Sequence, residues 1–245
     1  MRLKDKVVLV TGASRGLGHA LAVALAREGS KVTICARQAQ ALQRVKQELE
    51  SQGTDALAIP ADVGKSQDVE RLVATTLLTY GQIDVLINNA SILGPTPLPY
   101  LIDTPTEAFE ELLRTNVLGP FMVTKAVLPG MIERGRGSII SVISEAGINA
   151  YANWGAYGAS KAALELMTRV WAAELEGTGV RVTAVDPGEM DTAMHALALP
   201  EEDPTQYPKP EEVIDVFLWL ASDESLDVTG RLFQAQEFKL GQSQS

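Results

Sequence analysis

The chain has 245 residues, 46% of them hydrophobic, and a formal net charge of -10 at pH 7. The acidic balance argues against nucleic acid, which needs a basic footprint, and against anionic membrane surfaces. No segment approaches the ~20 apolar residues of a membrane helix, and the run Val7–Val10 is too short for a signal peptide. The single cysteine, Cys35, excludes an intrachain disulfide and favours a reducing compartment, so we expect a cytoplasmic protein.

Apolar runs predict seven buried strands that alternate with helices. The strands are predicted over Lys6–Val10, Lys31–Ala36, Ala56–Ala61, Ile83–Ile87, Ile139–Ile143, Val180–Val185 and Arg231–Gln236. This alternation predicts an α/β protein with a three-layer, doubly wound (Rossmann) fold and a parallel sheet. Without a linker or repeat, residues 1–245 are expected to form one domain, with a flexible tail at 241–245.

A glycine-rich turn follows the first predicted strand. It reads Thr11-Gly12-Ala13-Ser14-Arg15-Gly16-Leu17-Gly18, and apolar residues at helical spacing come next. Backbone N–H groups at a helix N-terminus attract anions, and glycines let a pyrophosphate approach the backbone closely. The turn therefore predicts a dinucleotide phosphate site, with a simple tight turn between strand and helix as the alternative.

The end of the second strand indicates which dinucleotide is bound. A free ribose 2′-hydroxyl usually meets an Asp or Glu about 20 residues after the glycines. Here the strand ends Cys35-Ala36-Arg37, without an acid. Arg37 and Arg15 could clamp a 2′-phosphate, for which the planar guanidinium is suited, so NADP(H) is predicted over NAD(H). The alternative is that both arginines are merely solvated.

Other polar residues stand where later strands end, which is where doubly wound sheets bind their ligands. Asp62 ends the third strand and could accept a hydrogen bond from an adenine amino group or cap the next helix. Asn89 ends the fourth strand, and Asp186-Pro187-Gly188 breaks the sixth. Residues 193–210, which include four prolines after position 199, are predicted to form a substrate lid.

The segment Gly137–Lys161 carries the candidate catalytic groups. Ser144 stands at the carboxyl end of a predicted strand, and Tyr157 and Lys161 are four residues apart on a predicted helix. Residues at i and i+4 share one helix face, so both side chains can point into one cleft. A nearby cation lowers the pKa of a phenol, which suits proton transfer. A packed tyrosine beside a solvated lysine is the alternative.

Asn116 lies in the middle of the long helical region that follows Pro105. Asparagine is an indifferent helix former and competes for backbone hydrogen bonds. It therefore indicates a bend or a function, unless it is simply exposed.

Together and in this order, these motifs resemble the short-chain dehydrogenase/reductase family in its single-domain form. The resemblance runs from Lys6 to Gly230 and includes the glycine turn, Asn88-Asn89-Ala90, Asn116, Ser144, Tyr157 with Lys161, and Pro187-Gly188 with Thr192. The chain departs from the family at Ser91, where glycine is usual, at Asp186, where asparagine is usual, and at Gln236-Glu237-Phe238, where an acid precedes two glycines.

The resemblance implies reversible hydride transfer between a nicotinamide and a carbonyl or alcohol carbon. Tyr157 would be the general acid in reduction, and Lys161 would lower its pKa and hold the nicotinamide ribose. Ser144 would fix the carbonyl oxygen, and Asn116 would hold a water of the proton relay. The cofactor-binding positions that it implies are Gly12, Ser14, Arg15, Gly16, Leu17, Gly18, Arg37, Asp62, Val63, Asn89, Ala90, Tyr157, Lys161, Pro187, Gly188 and Thr192. No metal is expected.

The resemblance also implies an assembly of like chains, a tetramer or a dimer. Its interface would use the helical regions Thr106–Arg134 and Asn153–Gly177.

The sequence favours an NADP(H)-dependent carbonyl reductase acting on a small, mostly apolar ketone or aldehyde. The predicted pocket walls supply the apolar residues Ile92, Leu93, Ile148, Tyr151, Trp154, Met190 and Met194, whereas His195 is expected on the lid surface. One alternative is a reductase of 3-oxoacyl groups on an acidic carrier protein, which the negative charge does not favour. Another is an NADPH-binding regulator without chemistry, which does not need Ser144.

Overall fold

The structure, a computed structural model, describes residues 1–241. Within them, seven parallel strands form one sheet in the order β3-β2-β1-β4-β5-β6-β7. The strands are β1 (Val7–Thr11), β2 (Lys31–Ala36), β3 (Ala56–Pro60), β4 (Val85–Asn88), β5 (Gly137–Val142), β6 (Val180–Asp186) and β7 (Leu232–Gln234). The helices are α1 (Gly16–Arg27), α2 (Ala39–Ser51), α3 (Ser66–Tyr80), α4 (Thr106–Leu113), α5 (Gly119–Glu133), α6 (Gly155–Glu174), α7 (Ala193–Ala198) and α8 (Asp215–Ala221).

Two hydrophobic cores lie on opposite faces of the sheet. Side chains of successive strand residues point to opposite faces, so Val8 and Val10 join one core and Leu9 the other. The first core packs against α1, α2 and α8, and the second against α3, α5 and α6. The predicted parallel, three-layer, doubly wound sheet is therefore confirmed.

The strand order reverses between β1 and β4, which are neighbours in the sheet. At such a switch point the connections leave in opposite directions and open a crevice outside the carboxyl ends of the strands. The glycine turn after β1 and the Asn88-Asn89-Ala90 run at the end of β4 both border this crevice.

Several predicted boundaries differ from the structure for local reasons. The helix predicted from Asn153 begins at Gly155, since Asn153 has a positive φ of 71° that no α-helix contains. Within the predicted lid, α7 is an α-helix, and the last strand, predicted to reach Gln236, ends at Gln234 before a 3₁₀ turn. Residues 242–245 of the predicted tail lie outside the described residues.

No helix within residues 1–241 is long and apolar enough to cross a membrane.

Candidate active site

A cavity of about 850 Å³ lies outside the carboxyl ends of the strands. Of the predicted catalytic and cofactor-binding residues, all except Asn116 line it: Gly12, Ser14, Arg15, Gly16, Leu17, Gly18, Arg37, Asp62, Val63, Asn89, Ala90, Ser144, Tyr157, Lys161, Pro187, Gly188 and Thr192. Among the predicted apolar wall residues, Ile148 does not line the cavity and is 54% exposed, so that expectation is wrong. We call the part formed by residues 12–18, 36–38, 61–63 and 89–90 the glycine end. The part formed by residues 91–93, 144–146, 151–157, 189–199 and 207 is the tyrosine end.

The glycine end is held together by hydrogen bonds between the ends of β1 and β4. Thr11 Oγ1 accepts the backbone N–H groups of Asn89 and Ala90, each at 3.0 Å. The Asn89 amide donates to the carbonyl oxygens of Thr11 at 2.8 Å and Gly12 at 3.2 Å. A Cβ on Gly18 would lie 2.4 Å from the Gly12 oxygen and 2.5 Å from Asn89 Nδ2. Only glycine therefore lets α1 pack this closely on the strand ends.

The N-terminus of α1 suits an anion. Its N-cap residue, Arg15, makes no side-chain capping hydrogen bond, and its first turn contains no acid. The first N–H groups of a helix have no intrahelical partner and carry the positive end of the helix dipole. A Cβ on Gly16 would meet nothing nearer than 3.8 Å, so the turn leaves open space here. These features fit the pyrophosphate of a dinucleotide.

Two exposed arginines flank the glycine end. The Arg37 guanidinium lies 3.7 Å from the Glu111 carboxylate, with both side chains more than half exposed, and such a pair contributes little stability. Arg15 has no ion-pair partner among residues 1–241. Because Arg37 and Gln38 follow β2 without a carboxylate, the residues fit a ribose 2′-phosphate better than a free 2′-hydroxyl.

Asp62 does not cap the helix that follows it, so that predicted alternative is wrong. The N-cap of α3 is Lys65, which has no side-chain cap. One carboxylate oxygen of Asp62 accepts the Gly64 N–H at 3.0 Å, while the Asp62 N–H donates to Asp68. Asp62 lines the cavity and remains able to accept a hydrogen bond from a ligand there.

The tyrosine end brings Ser144, Tyr157 and Lys161 together as the sequence predicts. Tyr157 and Lys161 are one turn apart on α6, and the Lys161 ammonium lies 5.5 Å from the centre of the Tyr157 ring. The ammonium also donates to the Val142 carbonyl oxygen at 2.9 Å, which fixes it beneath the end of β5. Ser144 follows β5, and its Oγ accepts the Ala146 N–H at 3.3 Å.

Burial dominates the ionisation of this cluster. It raises the pKa of Tyr157 to about 12, although the neighbouring hydroxyls of Ser91 and Ser144 lower it and the Asp186 carboxylate raises it further. Burial also lowers the pKa of Lys161 to about 8, against the opposing effect of Asp186. The sequence predicts that Lys161 lowers the pKa of Tyr157. In the structure, burial raises this pKa instead.

Asn116 is buried behind the cavity rather than in its wall. Its amide oxygen accepts the Ile92 N–H and its amide nitrogen donates to the Ile92 carbonyl, both at 2.9 Å, and to Ser160 Oγ at 3.0 Å. The residue lies in a π-helical turn, Arg114–Leu118, between α4 and α5. A π-helical turn thus interrupts the regular helix at Asn116, and the side chain holds the loop after β4 in place.

Part of the segment 193–210, which the sequence predicts as a lid, lines the tyrosine end: Ala193, Met194, His195, Ala198, Leu199 and Tyr207. Thr192 caps α7 by accepting the His195 N–H at 3.2 Å. His195 is only 9% exposed, so its expected position on the surface is wrong. Its ring packs against Tyr207 with the centroids 4.4 Å apart, and neither ring nitrogen has a hydrogen-bond partner within residues 1–241.

The sequence interpretation missed two residues that shape the site. Thr11 holds the end of β4, as described above, and its place directly before the first glycine was the available signal. Ser160 Oγ donates to the Tyr157 carbonyl at 2.7 Å and accepts from Asn116, which ties α6 to the π-helical turn. No feature of the sequence distinguishes Ser160 from other helical serines. Within residues 1–241 no group of His, Cys, Asp or Glu side chains is suited to a metal ion.

Comparison with protein families matches residues 6–203 to the family described as short chain dehydrogenase. Among curated proteins, the uncharacterized oxidoreductase YciK of Escherichia coli is 35% identical over 237 residues, which cover 96% of this chain and 93% of that protein. The 3-oxoacyl-(acyl-carrier-protein) reductase FabG of Thermotoga maritima is 38% identical over 242 residues, covering 95% of this chain and 96% of that protein.

The fold also matches solved structures along almost the whole chain. An Escherichia coli short chain dehydrogenase, crystallised in complex with NADPH, superposes with a TM-score of 0.90 at 34% identity. The match covers 96% of this chain and 98% of that one.

Proposed function

The chain belongs to the short chain dehydrogenase family, and on that premise we propose that this oxidoreductase is an NADP(H)-dependent carbonyl reductase of small, mostly apolar ketones or aldehydes. One observation carries the proposal: Tyr157, protonated because it is buried, shares a cavity with Ser144 and the Lys161 ammonium. The same cavity opens onto the glycine turn and the two exposed arginines.

The cofactor would be held mainly by backbone at the glycine end. The first turn of α1 would receive the pyrophosphate, Arg15 and Arg37 the 2′-phosphate, and Asp62 the adenine. Ser14, Leu17, Val63 and Ala90 line the same space, while Pro187, Gly188 and Thr192 would border the nicotinamide. When bound, this cofactor supplies the hydride. The NADPH complex of the similar Escherichia coli protein supports the choice.

The ionisation of the cluster suits Tyr157 to act as the proton donor of a reduction near neutral pH. With its pKa raised to about 12, Tyr157 holds its proton and can donate it from Oη to a carbonyl oxygen that is becoming an alkoxide. Lys161, with a pKa lowered to about 8, still carries its proton at pH 7, so its charge stabilises the phenolate that remains. Ser144 would hydrogen-bond the same carbonyl oxygen and fix its position.

Asn116 would contribute to the proton relay only indirectly, because its side-chain amide is already hydrogen-bonded to Ile92 and Ser160. A π-helical turn interrupts the regular backbone hydrogen bonds, and a carbonyl freed in this way can hold a water. We therefore assign the relay water to the backbone of this turn and a supporting role to the Asn116 amide.

The walls of the tyrosine end indicate an apolar substrate. Buried or partly buried side chains of Leu93, Leu98, Leu112 and Ala198 cluster around Tyr157, and Trp154 packs its edge against the ring at 5.7 Å. Residues 193–210 would act as a lid that excludes water during the reaction, since Met194 and Leu199 pack against this cluster.

The decisive experiment measures NADPH oxidation with a panel of aldehydes and ketones for the parent protein and Tyr157→Phe. Loss of the proton donor should lower kcat by about 100- to 10,000-fold, while NADPH affinity stays within a few-fold of the parent. Tyr80→Phe is the matched control, because it removes a phenol that bonds Asp55 at the opposite end of the sheet. A Tyr157→Phe protein with most of its turnover intact would disprove the mechanism.

A second candidate is reduction of 3-oxoacyl groups on a carrier protein, favoured by the 38% identity to FabG of Thermotoga maritima. The cavity rim opposes it, because Glu145, Glu189 and Glu237 line the opening and would repel an acidic carrier. A carrier-linked 3-oxoacyl group turned over far faster than the same group as a free thioester would establish this function instead. A regulator without chemistry has the least support, since the relatives are oxidoreductases.

We also propose a tetramer or dimer in the cytoplasm. Leu118 precedes α5, and Leu166 and Val170 lie on α6; all three are about half exposed, as an interface along these helices requires. The buried Cys35 thiol, whose pKa burial raises to about 12, is an unreactive group suited to a reducing compartment. Analytical ultracentrifugation and cell fractionation test these assignments, and a monomer or a secreted protein would refute them.

A further inference from the structure

The hydroxyl of Ser91 is buried at the tyrosine end without a regular hydrogen bond. Its Oγ is fully shielded from solvent and has no partner of good geometry within residues 1–241. A buried, unpaired hydroxyl destabilises the folded state, so its presence calls for a reason. The same side chain lines the cavity.

The backbone on both sides of Ser91 is fixed. The Ala90 N–H donates to Thr11 Oγ1 at 3.0 Å, and both peptide groups of Ile92 are bound by the Asn116 amide at 2.9 Å. Ser91 therefore stands at a set position between the end of β4 and the π-helical turn. Ser91 and Tyr157 line the same cavity, and the Ser91 hydroxyl lies close enough to the phenol to lower its pKa.

We propose that Ser91 is a second positioning hydroxyl for Tyr157, which donates a hydrogen bond to Tyr157 Oη as that oxygen gives up its proton. This inference rests on the proposed function. In reduction, the Tyr157 O–H bond breaks and its proton goes to the substrate oxygen, while Ser91 keeps its own proton. The Ser91 hydroxyl thereby gains the partner that it lacks before the reaction, and the unpaired group is satisfied when negative charge develops on the phenol.

Several other groups surround Tyr157 or affect its pKa, and they lie on different elements from Ser91. On α6, the Lys161 ammonium lies 5.5 Å from the ring centre. Asp186, at the end of β6, raises the phenol's pKa, and Ser144, after β5, lowers it. Trp154 covers the ring edge without charge. Since serine is neutral, its removal changes the hydrogen bonding of Tyr157 and leaves the local charge as it is.

The test compares Ser91→Ala with the parent over a range of pH. Loss of the donor should raise the pKa of Tyr157 by about half a unit to one unit, so alcohol oxidation, which needs the phenolate, should become about threefold to tenfold slower at each pH below that pKa. At pH 7 the turnover should fall about threefold to tenfold. Ser138→Ala is the control, because it removes a buried hydroxyl that bonds the Leu220 carbonyl, far from the cavity.

A second readout needs no turnover. Carbon-13 NMR of ring-labelled tyrosine follows the ionisation of each phenol, and Tyr157→Phe identifies the signal of Tyr157. At the highest pH at which the fold persists, Ser91→Ala should leave a smaller fraction of this phenol ionised than the parent does, and Ser138→Ala should leave that fraction unchanged. An unchanged fraction, or an equal decrease in both variants, would overturn the proposal, even if the protein were not a carbonyl reductase.

Discussion

The glycine end and the tyrosine end belong to one cavity but are built from different parts of the chain. At the glycine end, backbone atoms and the side chains of Thr11 and Asn89 satisfy one another, and a Cβ on Gly12 or Gly18 would come within 2.7 Å of a neighbour. At the tyrosine end, the wall is made of side chains, and the polar atoms of Ser91 and His195 lack partners within residues 1–241. The strand ends at the glycine end are paired and closely packed by the protein itself, whereas the tyrosine end contains buried polar side chains that the rest of residues 1–241 leaves unpaired.

Under the proposed function, this contrast separates the part that holds the cofactor from the part that selects the substrate. Recognition by backbone tolerates few changes, because a Cβ at Gly12 or Gly18 would lie within 2.7 Å of a neighbouring atom. A binding site made of side chains can be altered by single substitutions, because each group projects from a different loop or helix. Substitutions at the two ends should therefore impair different properties of the protein.

Gly18→Ala should have the largest effect. Its methyl group would lie 2.4 Å from the Gly12 oxygen and 2.5 Å from Asn89 Nδ2, so α1 must move away from the strand ends. Overpacking of this kind costs about 1–3 kcal/mol or more. We expect at least about 100-fold weaker NADPH binding, measured by fluorescence titration, and a lower unfolding temperature.

Gly53→Ala is the control that separates the effect of overpacking from the effect of backbone strain. Gly53 has a positive φ of 81°, but a Cβ there would meet nothing within 4 Å. Its replacement should cost about 1–2 kcal/mol of stability and leave NADPH affinity unchanged. Equal affinity of the Gly18→Ala and parent proteins for NADPH would show that the glycine end tolerates displacement after all.

Arg37→Ala should have an intermediate effect that is confined to NADPH. Loss of a charged hydrogen-bond donor to the 2′-phosphate should weaken NADPH binding about 10- to 100-fold and leave NADH binding almost unchanged. Stability should hardly change, since the exposed pair with Glu111 contributes little. Arg44→Ala, an exposed arginine on α2, is the control for net charge. A parent that binds NADH as tightly as NADPH would refute the assignment.

The glycine end was largely predictable from the sequence, because its requirements are local. Glycines that follow an apolar strand and open a helix are typical of a phosphate-binding turn, and the absence of an acid after Ala36 is visible directly. The proximity of Ser144, Tyr157 and Lys161 was predictable for a similar reason: helical spacing places Tyr157 and Lys161 on one face, and a strand end exposes Ser144.

The remaining features depend on contacts between distant segments. No local pattern indicates that Asn116 binds the backbone of Ile92, since the two residues lie 24 positions apart. His195 resembled a surface residue because α7 is short and flanked by prolines, yet Tyr207 buries its ring. The raised pKa of Tyr157 likewise follows from the packing of the whole tyrosine end, which charge spacing alone does not predict.

His195→Phe should have the smallest effect and tests whether the tyrosine end sacrifices stability for binding. Phenylalanine keeps a ring against Tyr207 but removes two buried nitrogens that lack hydrogen-bond partners within the described chain. Removal of unpaired buried polar atoms should stabilise the fold by about 1 kcal/mol, which raises the unfolding temperature by about 2–4 °C. Substrates with a second polar group should show a higher KM at unchanged kcat, because the imidazole could no longer bind that group. A less stable variant would mean that the ring nitrogens are satisfied in the folded protein, and unaltered KM values across polar and apolar ketones would remove His195 from substrate recognition.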